Sequence, residues 1–332
     1  MLTIGVSGLT GMIGRNLILE SRHSPPSSGE WRWVAFVRPT SATDFLRQQG
    51  AELREVDYED PASLAGKVED VDVFLHLAGL TKTCRPREFY EANTRVTDTL
   101  VTGLRRHARR LRHFLFSSSI SAYGPSRSAE HFKSEEEPCN PISDYGRSKL
   151  QAEELIRGSG LPWTVLRFPA IFGPYDPDGL FLMRVARSGW TSSFGAGDDC
   201  FSYLFAQDAA RLLFRMLLDK RLIEGLYNVC YDAPSSTVEF FLRVRRELGL
   251  PPKLRLLRVP LWFGRLVGSC LGTWKGLRGR ASILNADKIT EFLAKYWVIS
   301  NRKIREALEL PTIRERGALA QTVRWFREKG LL

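Results

Sequence analysis

The sequence predicts an α/β fold, a doubly wound parallel sheet followed by a smaller α/β lobe. Three observations carry this. β-rich and helical patterns alternate from residue 2 to about 124. The run VDVFLHLAG (71–79) is apolar almost throughout, as a strand covered on both faces should be. Three glycines, Gly8, Gly11 and Gly14, stand where the first strand meets the first helix.

The elements follow in order. LTIGVS (2–7) is a β-rich run, after which Ile13, Leu17 and Ile18 share one side of a helical pattern. SRHSPPSSGE (21–30) is a long connection for such a unit. WRWVAFV (31–37) reads as the second strand, 41–49 as a short helix and AELREVDY (51–58) as the third strand with its flanks. After the fourth strand, 71–79, a long helix is expected over 88–108. A fifth strand, HFLFSSSISAYG (113–124), ends in hydroxyls. A helix over 145–159 and a strand over 161–173 come next. Beyond 174 the alternation loosens into helices near 178–188, 205–219, 237–248 and 312–329. The expected division is a first domain over 1–173 and a mainly substrate-binding lobe over 174–332, with returns of the chain to the first domain allowed. A ligand crevice is expected where the lobe meets the carboxyl ends of the strands.

Size and composition narrow the classes. At 332 residues the chain can bury a sizeable core. The formal charge of +11 lies partly in RRHARRLRH (105–113) and WKGLRGR (274–280). No zinc-finger spacing or RNA-binding aromatic pattern accompanies it, so a basic surface for anionic small molecules is expected rather than nucleic-acid binding. Cys84, Cys139, Cys200, Cys230 and Cys270 are odd in number and widely spaced, against a disulfide scaffold or structural zinc. No metal site is expected. No signal segment precedes the first strand. VPLWFGRLVGSCLG (259–272) is too short and too interrupted for stable membrane insertion, leaving peripheral contact at most. The expected location is cytoplasmic.

The glycine turn carries the first chemistry. Glycines let the backbone turn tightly and approach a pyrophosphate, and the helix start offers it free N–H groups. At a strand-to-helix junction this predicts a dinucleotide cofactor. VRP (37–39) ends the second strand with Arg38 where a site for NAD carries an acid. Arg38, with Arg15 beside the third glycine, suits a ribose 2′-phosphate, so NADP is favoured and NAD remains an alternative. Asp57 could accept from the adenine amine or cap a turn.

Ser117, Ser118 and Ser119 end the fifth strand, and DYGRSK (144–149) places Tyr145 four residues before Lys149, on one helix face. With nine tyrosines in the chain, chance supplies roughly 0.4 such pairs, so the spacing means little without its address. The address gives it chemistry. A phenol is a weak acid and base at its free pKa, and a neighbouring ammonium favours the phenolate. Ser119 can hold a substrate oxygen in line with Tyr145. His76, at a strand end, is expected to be a hydrogen-bonded structural group.

These residues resemble the extended short-chain dehydrogenases/reductases, the NAD-dependent epimerase/dehydratase family, over nearly the whole chain. The resemblance implies a Rossmann-type sheet. It implies that SGLTGMIG (7–14), with Met12 and Ile13, is the cofactor turn and that Leu77, Ala78 and Gly79 of HLAG border the cofactor. Ser119, Tyr145 and Lys149 are by resemblance the catalytic set, Tyr145 and Lys149 also touching the cofactor. Asn93 supports the lysine through water, and Phe168, Pro169 and Ile171 of RFPAIFGP border the nicotinamide. The tail, with NADK (285–288) and TVRWFREKGLL (322–332), looks like the branch near 3β-hydroxysteroid dehydrogenases, dihydroflavonol reductases and nucleotide-sugar epimerases.

Dehydratases of this kind carry an Asp-Glu pair after the active-site hydroxyl, whereas Ile120 and Ser121 follow Ser119 here. A reductase or dehydrogenase interconverting a secondary alcohol and a ketone is therefore expected. A nucleotide-sugar 4-epimerase with bound NAD and a non-catalytic NADP(H)-binding protein are the alternatives. Arg184, Arg187 and Arg211 could hold a diphosphate. Phe168, Phe172, Tyr175, Phe181, Phe201 and Tyr203 could face a hydrophobic substrate or pack the core. The loop 125–143 could border the substrate, and helices 88–108 and 145–159 could pair in a homodimer.

Overall fold

A computed structural model describes residues 1–22, 30–194, 199–259 and 286–332. Its centre is a seven-stranded parallel sheet. The strands are β1 (Leu2–Ser7), β2 (Trp31–Val37), β3 (Glu52–Glu55), β4 (Val73–His76), β5 (His113–Ser119), β6 (Trp163–Phe168) and, after four short strands of the second lobe, β11 (Gly225–Asn228). The short strands are β7 (Ala170–Phe172), β8 (Trp190–Phe194), β9 (Cys200–Phe201) and β10 (Tyr203–Phe205). β12 (Arg255–Val259) and β13 (Tyr296–Trp297) complete the set among the described residues. The sheet order is β11-β6-β5-β4-β1-β2-β3. The chain thus winds outward in both directions from the β1–β4 pair, where Ser7 sits opposite His76. This reversal is the topological switch point, the place where open α/β sheets bind their ligands.

Strand periodicity divides the core into two layers. Trp33, Ala35 and Val37 of β2 face one layer with Ile4, Val6, Leu75 and Leu115. Val34 and Phe36 face the other with Phe74, Phe114 and Phe116. Phe36, Phe74 and Phe114 form a ladder across three strands with centroids 5.1 and 6.0 Å apart. Each such buried phenylalanine contributes roughly 1.5–3 kcal/mol. The first layer is covered by α1 (Met12–Ser21) and α7 (Ala206–Met216), the second by α4 (Val96–His107) and α5 (Asp144–Arg157). Of the remaining helices, α2 is Asp44–Gln48, α3 Pro86–Phe89, α6 Pro177–Ser188 and α8 Thr237–Glu247.

Several boundaries differ from expectation. The fifth strand stops at Ser119, because its side chain accepts the N–H of Ser121 and turns Ile120–Ala122 into a 3₁₀ helix. The long helix starts at Pro86 and passes through a π-helical stretch, Tyr90–Arg95, before α4. The third strand keeps only Glu52–Glu55, and the last helix only Ala318–Glu328. Gly317, at φ 79°, forces a left-handed turn before that helix. The apolar run 259–272 beyond Val259, the basic run 274–280 and Cys270 lie outside the described residues. No described helix is long and apolar enough to cross a membrane.

Candidate active site

The glycine turn closes over the switch point. Gly8 has φ 80°, and a Cβ there would come within 2.4 Å of the Ala78 nitrogen. A Cβ on Gly14 would meet Leu9 backbone atoms at 2.5 Å. Glycine is therefore required at both positions. Gly11 starts α1, which has no side-chain cap and no acid in its first turn, so its leading N–H groups point out of the helix toward a ligand. Leu77 continues β4 by donating to the Ser7 carbonyl (2.9 Å), which lays Leu77, Ala78 and Gly79 beside the turn. Met12 and Ile13 form the first turn of α1. This narrow backbone cradle at a helix start fits the pyrophosphate of a dinucleotide.

Arg38 is exposed at the end of β2, and its N–H donates to Ser41 Oγ. Arg15 donates to the Thr10 carbonyl, and its guanidinium lies 5.0 and 5.1 Å from the Phe45 and Tyr175 ring centroids. Asp57 Oδ1 accepts the N–H of Glu59, so in the structure this carboxylate caps a turn. Phe168, at the end of β6, is buried, Pro169 follows it, and Ile171 lies in β7.

The hydroxyls and the tyrosine helix meet at the end of β5. Ser119 Oγ accepts the Ser121 N–H at 3.1 Å and stands beside the Tyr145 phenol, whose pKa it pulls down. Lys149 is one helical turn past Tyr145 and 4 % exposed. Its Nζ donates to the Ser117 carbonyl at 2.6 Å and lies 4.1 Å from the Phe116 centroid. Burial lowers the Lys149 pKa to about 7, partly opposed by Glu153. Burial raises that of Tyr145, which Lys288 and Ser119 pull back. α5 can come this close because Gly146 lacks a side chain: a Cβ there would be 2.2 Å from the Ser121 carbonyl oxygen.

Asn93 sits in the π-helical stretch, a local widening that often marks functional sites. Its amide donates to the Leu80 carbonyl (3.0 Å) and Ser148 Oγ (2.9 Å), and its Oδ1 accepts the Leu80 N–H (2.7 Å). It thereby joins the strip after β4 to the helix that carries Lys149. His76 is wholly buried between Ser7 Oγ (2.6 Å) and Thr97 Oγ1 (2.9 Å). Burial, with a smaller contribution from Lys149, lowers its pKa to about 3. It is a neutral tie between β1, β4 and the helix layer.

Four residues beyond Lys149, Glu153 forms a buried pair with Arg167 (2.6 Å) and accepts from Ser118 Oγ. The Arg167 guanidinium lies 3.9 Å from the Tyr123 centroid. Nothing in the sequence marks Arg167 as the partner, because strand position and not sequence spacing brings it there. The start of α5 is also held from far along the chain. Asp287 accepts the N–H groups of Asp144 (2.7 Å) and Tyr145 (3.1 Å), and Glu291 accepts from Ser143 Oγ (2.7 Å). The NADK segment was the one available signal for this contact.

Of the three arginines that could hold a diphosphate, Arg187 is exposed and the other two are otherwise engaged. Arg211 pairs with Glu20 and Asp208 at 2.8 Å each, and Arg184 donates to the Leu331 carbonyl. Most of the second-lobe aromatics pack on one another. Phe172 stacks with Phe240 at 4.7 Å and Tyr175 with Trp325 at 4.6 Å, whereas Phe181 is exposed. The loop 125–143 is tied to the C-terminal region through Ser126 with Val298 and Lys133 with Ile299. Among the described residues no His, Cys, Asp and Glu cluster could hold a metal ion.

Two curated relatives align along nearly the whole chain. Ceramide reductase of Caulobacter vibrioides is 25 % identical over 330 residues, covering 99 % of this chain and 96 % of its own. Sterol demethylase protein B of Methylococcus capsulatus is 27 % identical, covering all of both chains. Sugar epimerases and dTDP-glucose 4,6-dehydratases align over 62–74 % of this chain. Among solved structures, the UDP-glucuronic acid 4-epimerase of Bacillus cereus in complex with NAD shares the fold. Its TM-score is 0.73, at 19 % identity, over 99 % of each chain. The family model for the NAD-dependent epimerase/dehydratase family matches residues 4–230, and the chain belongs to that family of short-chain dehydrogenase/reductase-type enzymes.

Proposed function

We propose that the protein is an NAD(P)-dependent oxidoreductase that interconverts a secondary alcohol and a ketone on a hydrophobic substrate, with NADPH favoured. One observation carries this reading: Ser119 stands beside Tyr145, Lys149 one helical turn on is anchored to the same strand end through the Ser117 carbonyl, and no acid follows Ser119 at positions 120 and 121. The set can move one proton at an oxygen but lacks the acid and base that removal of water requires. The two relatives aligned over the whole chain bear the names of enzymes of ceramide and sterol chemistry, which supports a lipid-like substrate. The engagement of Arg184 and Arg211 elsewhere weighs against a diphosphate-bearing one.

When bound, the cofactor supplies the hydride acceptor or donor. Gly8, Gly11 and Gly14 would hold its pyrophosphate, and Arg38 the ribose 2′-phosphate. Ser119 positions the substrate oxygen. In reduction Tyr145 gives its proton to that oxygen as the carbonyl carbon gains hydride. Lys149 stabilises the phenolate left behind until the proton is replaced from solvent. In oxidation the same phenolate takes the alcohol proton.

The test is NADPH consumption on keto-lipids and ketosteroids beside UDP-sugars. Net oxidation of NADPH with a keto-lipid is expected. Tyr145→Phe should cut turnover roughly 10²–10⁴-fold while still binding cofactor. Interconversion of UDP-sugars without net NADPH use, or near-normal turnover by Tyr145→Phe, would overturn the reading.

A further inference from the structure

The helix Ala286–Leu293 meets the start of α5 across about 140 residues of chain and brings three charged side chains there. Asp287 and Glu291 hold backbone and side-chain groups of residues 143–145. Lys288, between them, lies with Nζ 4.9 Å from the centroid of the Tyr145 ring and is held by Glu291 Oε2 at 2.6 Å. Glu291 is itself fixed, because its backbone carbonyl accepts from Trp297 Nε1 at 2.9 Å. Lys149, the cation expected to act on Tyr145, instead spends a hydrogen bond on the Ser117 carbonyl and faces the Phe116 ring.

We infer that Lys288 is a second positioning cation for Tyr145, supplied by the C-terminal lobe to favour the phenolate. The groups facing the tyrosine are few. Lys288, Asp287 and Glu291 come from the C-terminal helix, Ser119 from β5, Phe89 from α3 at 5.8 Å, and Lys149 from α5 itself. Of the charged ones, Lys288 favours the phenolate and Glu291 opposes it. Lys288 Nζ lies 4.9 Å from the ring centroid, and its effect on the phenol is larger than that of Glu291, which pairs with the same ammonium. The C-terminal lobe thereby also sets the proton affinity of Tyr145. The inference rests on the reading of Tyr145 as the proton donor.

The test follows the Tyr145 proton directly, in the full chain without substrate. Tyrosines carrying ¹³C at Cζ are titrated by NMR past pH 11, with the Tyr145 signal assigned by Tyr145→Phe. Lys288→Met should raise the Tyr145 midpoint by about one pH unit or more, and Lys288→Arg should restore most of it. The eight other tyrosine signals report whether each variant is folded. Should Lys288→Met unfold, Lys288→Gln takes its place, and a midpoint that does not rise overturns the inference. An unchanged or lower midpoint in folded Lys288→Met also overturns it, the titration being carried as far above pH 11 as the fold allows. The readout needs no turnover. An error in the proposed reaction would show as absent turnover with the expected titrations, whereas an error here would show in the titrations alone.

Discussion

Lys149 has little freedom. It is buried, bound to one carbonyl and stacked on one ring, and burial brings its pKa to about 7. Its charge is therefore sensitive to whatever enters beside Gly79, whose Cβ position lies 3.8 Å from Nζ. Arg38 is exposed at the end of β2, where we propose that it meets the ribose 2′-phosphate. Arg38→Asp should weaken NADPH binding about tenfold or more and favour NADH, read by fluorescence titration of both cofactors. Wild-type protein binding NADH as tightly as NADPH would count against the assignment. That Tyr145 and Lys149, which we propose as catalytic with Ser119, lie on one helix was legible because residues four apart share a helix face. Asp287, Lys288 and Glu291 were not, since no local pattern says which distant helix will reach the start of α5.

Among the elements, the glycine turn is the most constrained. Gly14→Ala would push a methyl group into the Leu9 backbone, where no flexible side chain can yield. It should lower stability by roughly 1–3 kcal/mol and abolish measurable cofactor binding. Thermal denaturation and cofactor titration check both, and an unperturbed variant would refute the close packing. Alternation of apolar runs gave the order of strands and helices from β1 to β6. Boundaries were lost where a side chain or a glycine overrides periodicity, as Ser119 does by bonding Ser121 and as Gly317 does before the last helix. The π-helical stretch at Asn93 was also invisible, because its extra residue changes the turn but not the hydrophobic pattern.

On the scale of the molecule, buried histidines make folding depend on pH. His76 has a folded pKa of about 3 and His113 about 4, both lowered chiefly by burial from an ordinary value near 6.5. Between those values the unfolded chain binds more protons than the folded one. The stability tied to these groups is thus complete above pH 6.5 and is lost as pH falls. For His76 the loss is roughly 2 kcal/mol at pH 5. His76→Asn should show a smaller fall in Tm between pH 7 and pH 5 than wild type, and an equal fall would exclude His76 as the source. The net charge was read from the sequence as a basic surface. Part of it is structural, since Arg110 and Arg112 both pair with buried Asp72, which also accepts the Thr3 N–H.

The position of β11 has a consequence for biosynthesis. It completes the sheet beside β6, yet it is made only after roughly 60 further residues have been added. At typical synthesis rates of about 5–20 residues per second, the outer edge of β6 waits some seconds, roughly 3–12, without its neighbour. During that interval a nascent chain presents unpaired peptide groups to other chains. Arrest of translation between these two strands would therefore yield an aggregation-prone product, whereas arrest just after residue 228, once it has cleared the ribosome, would not leave that edge bare.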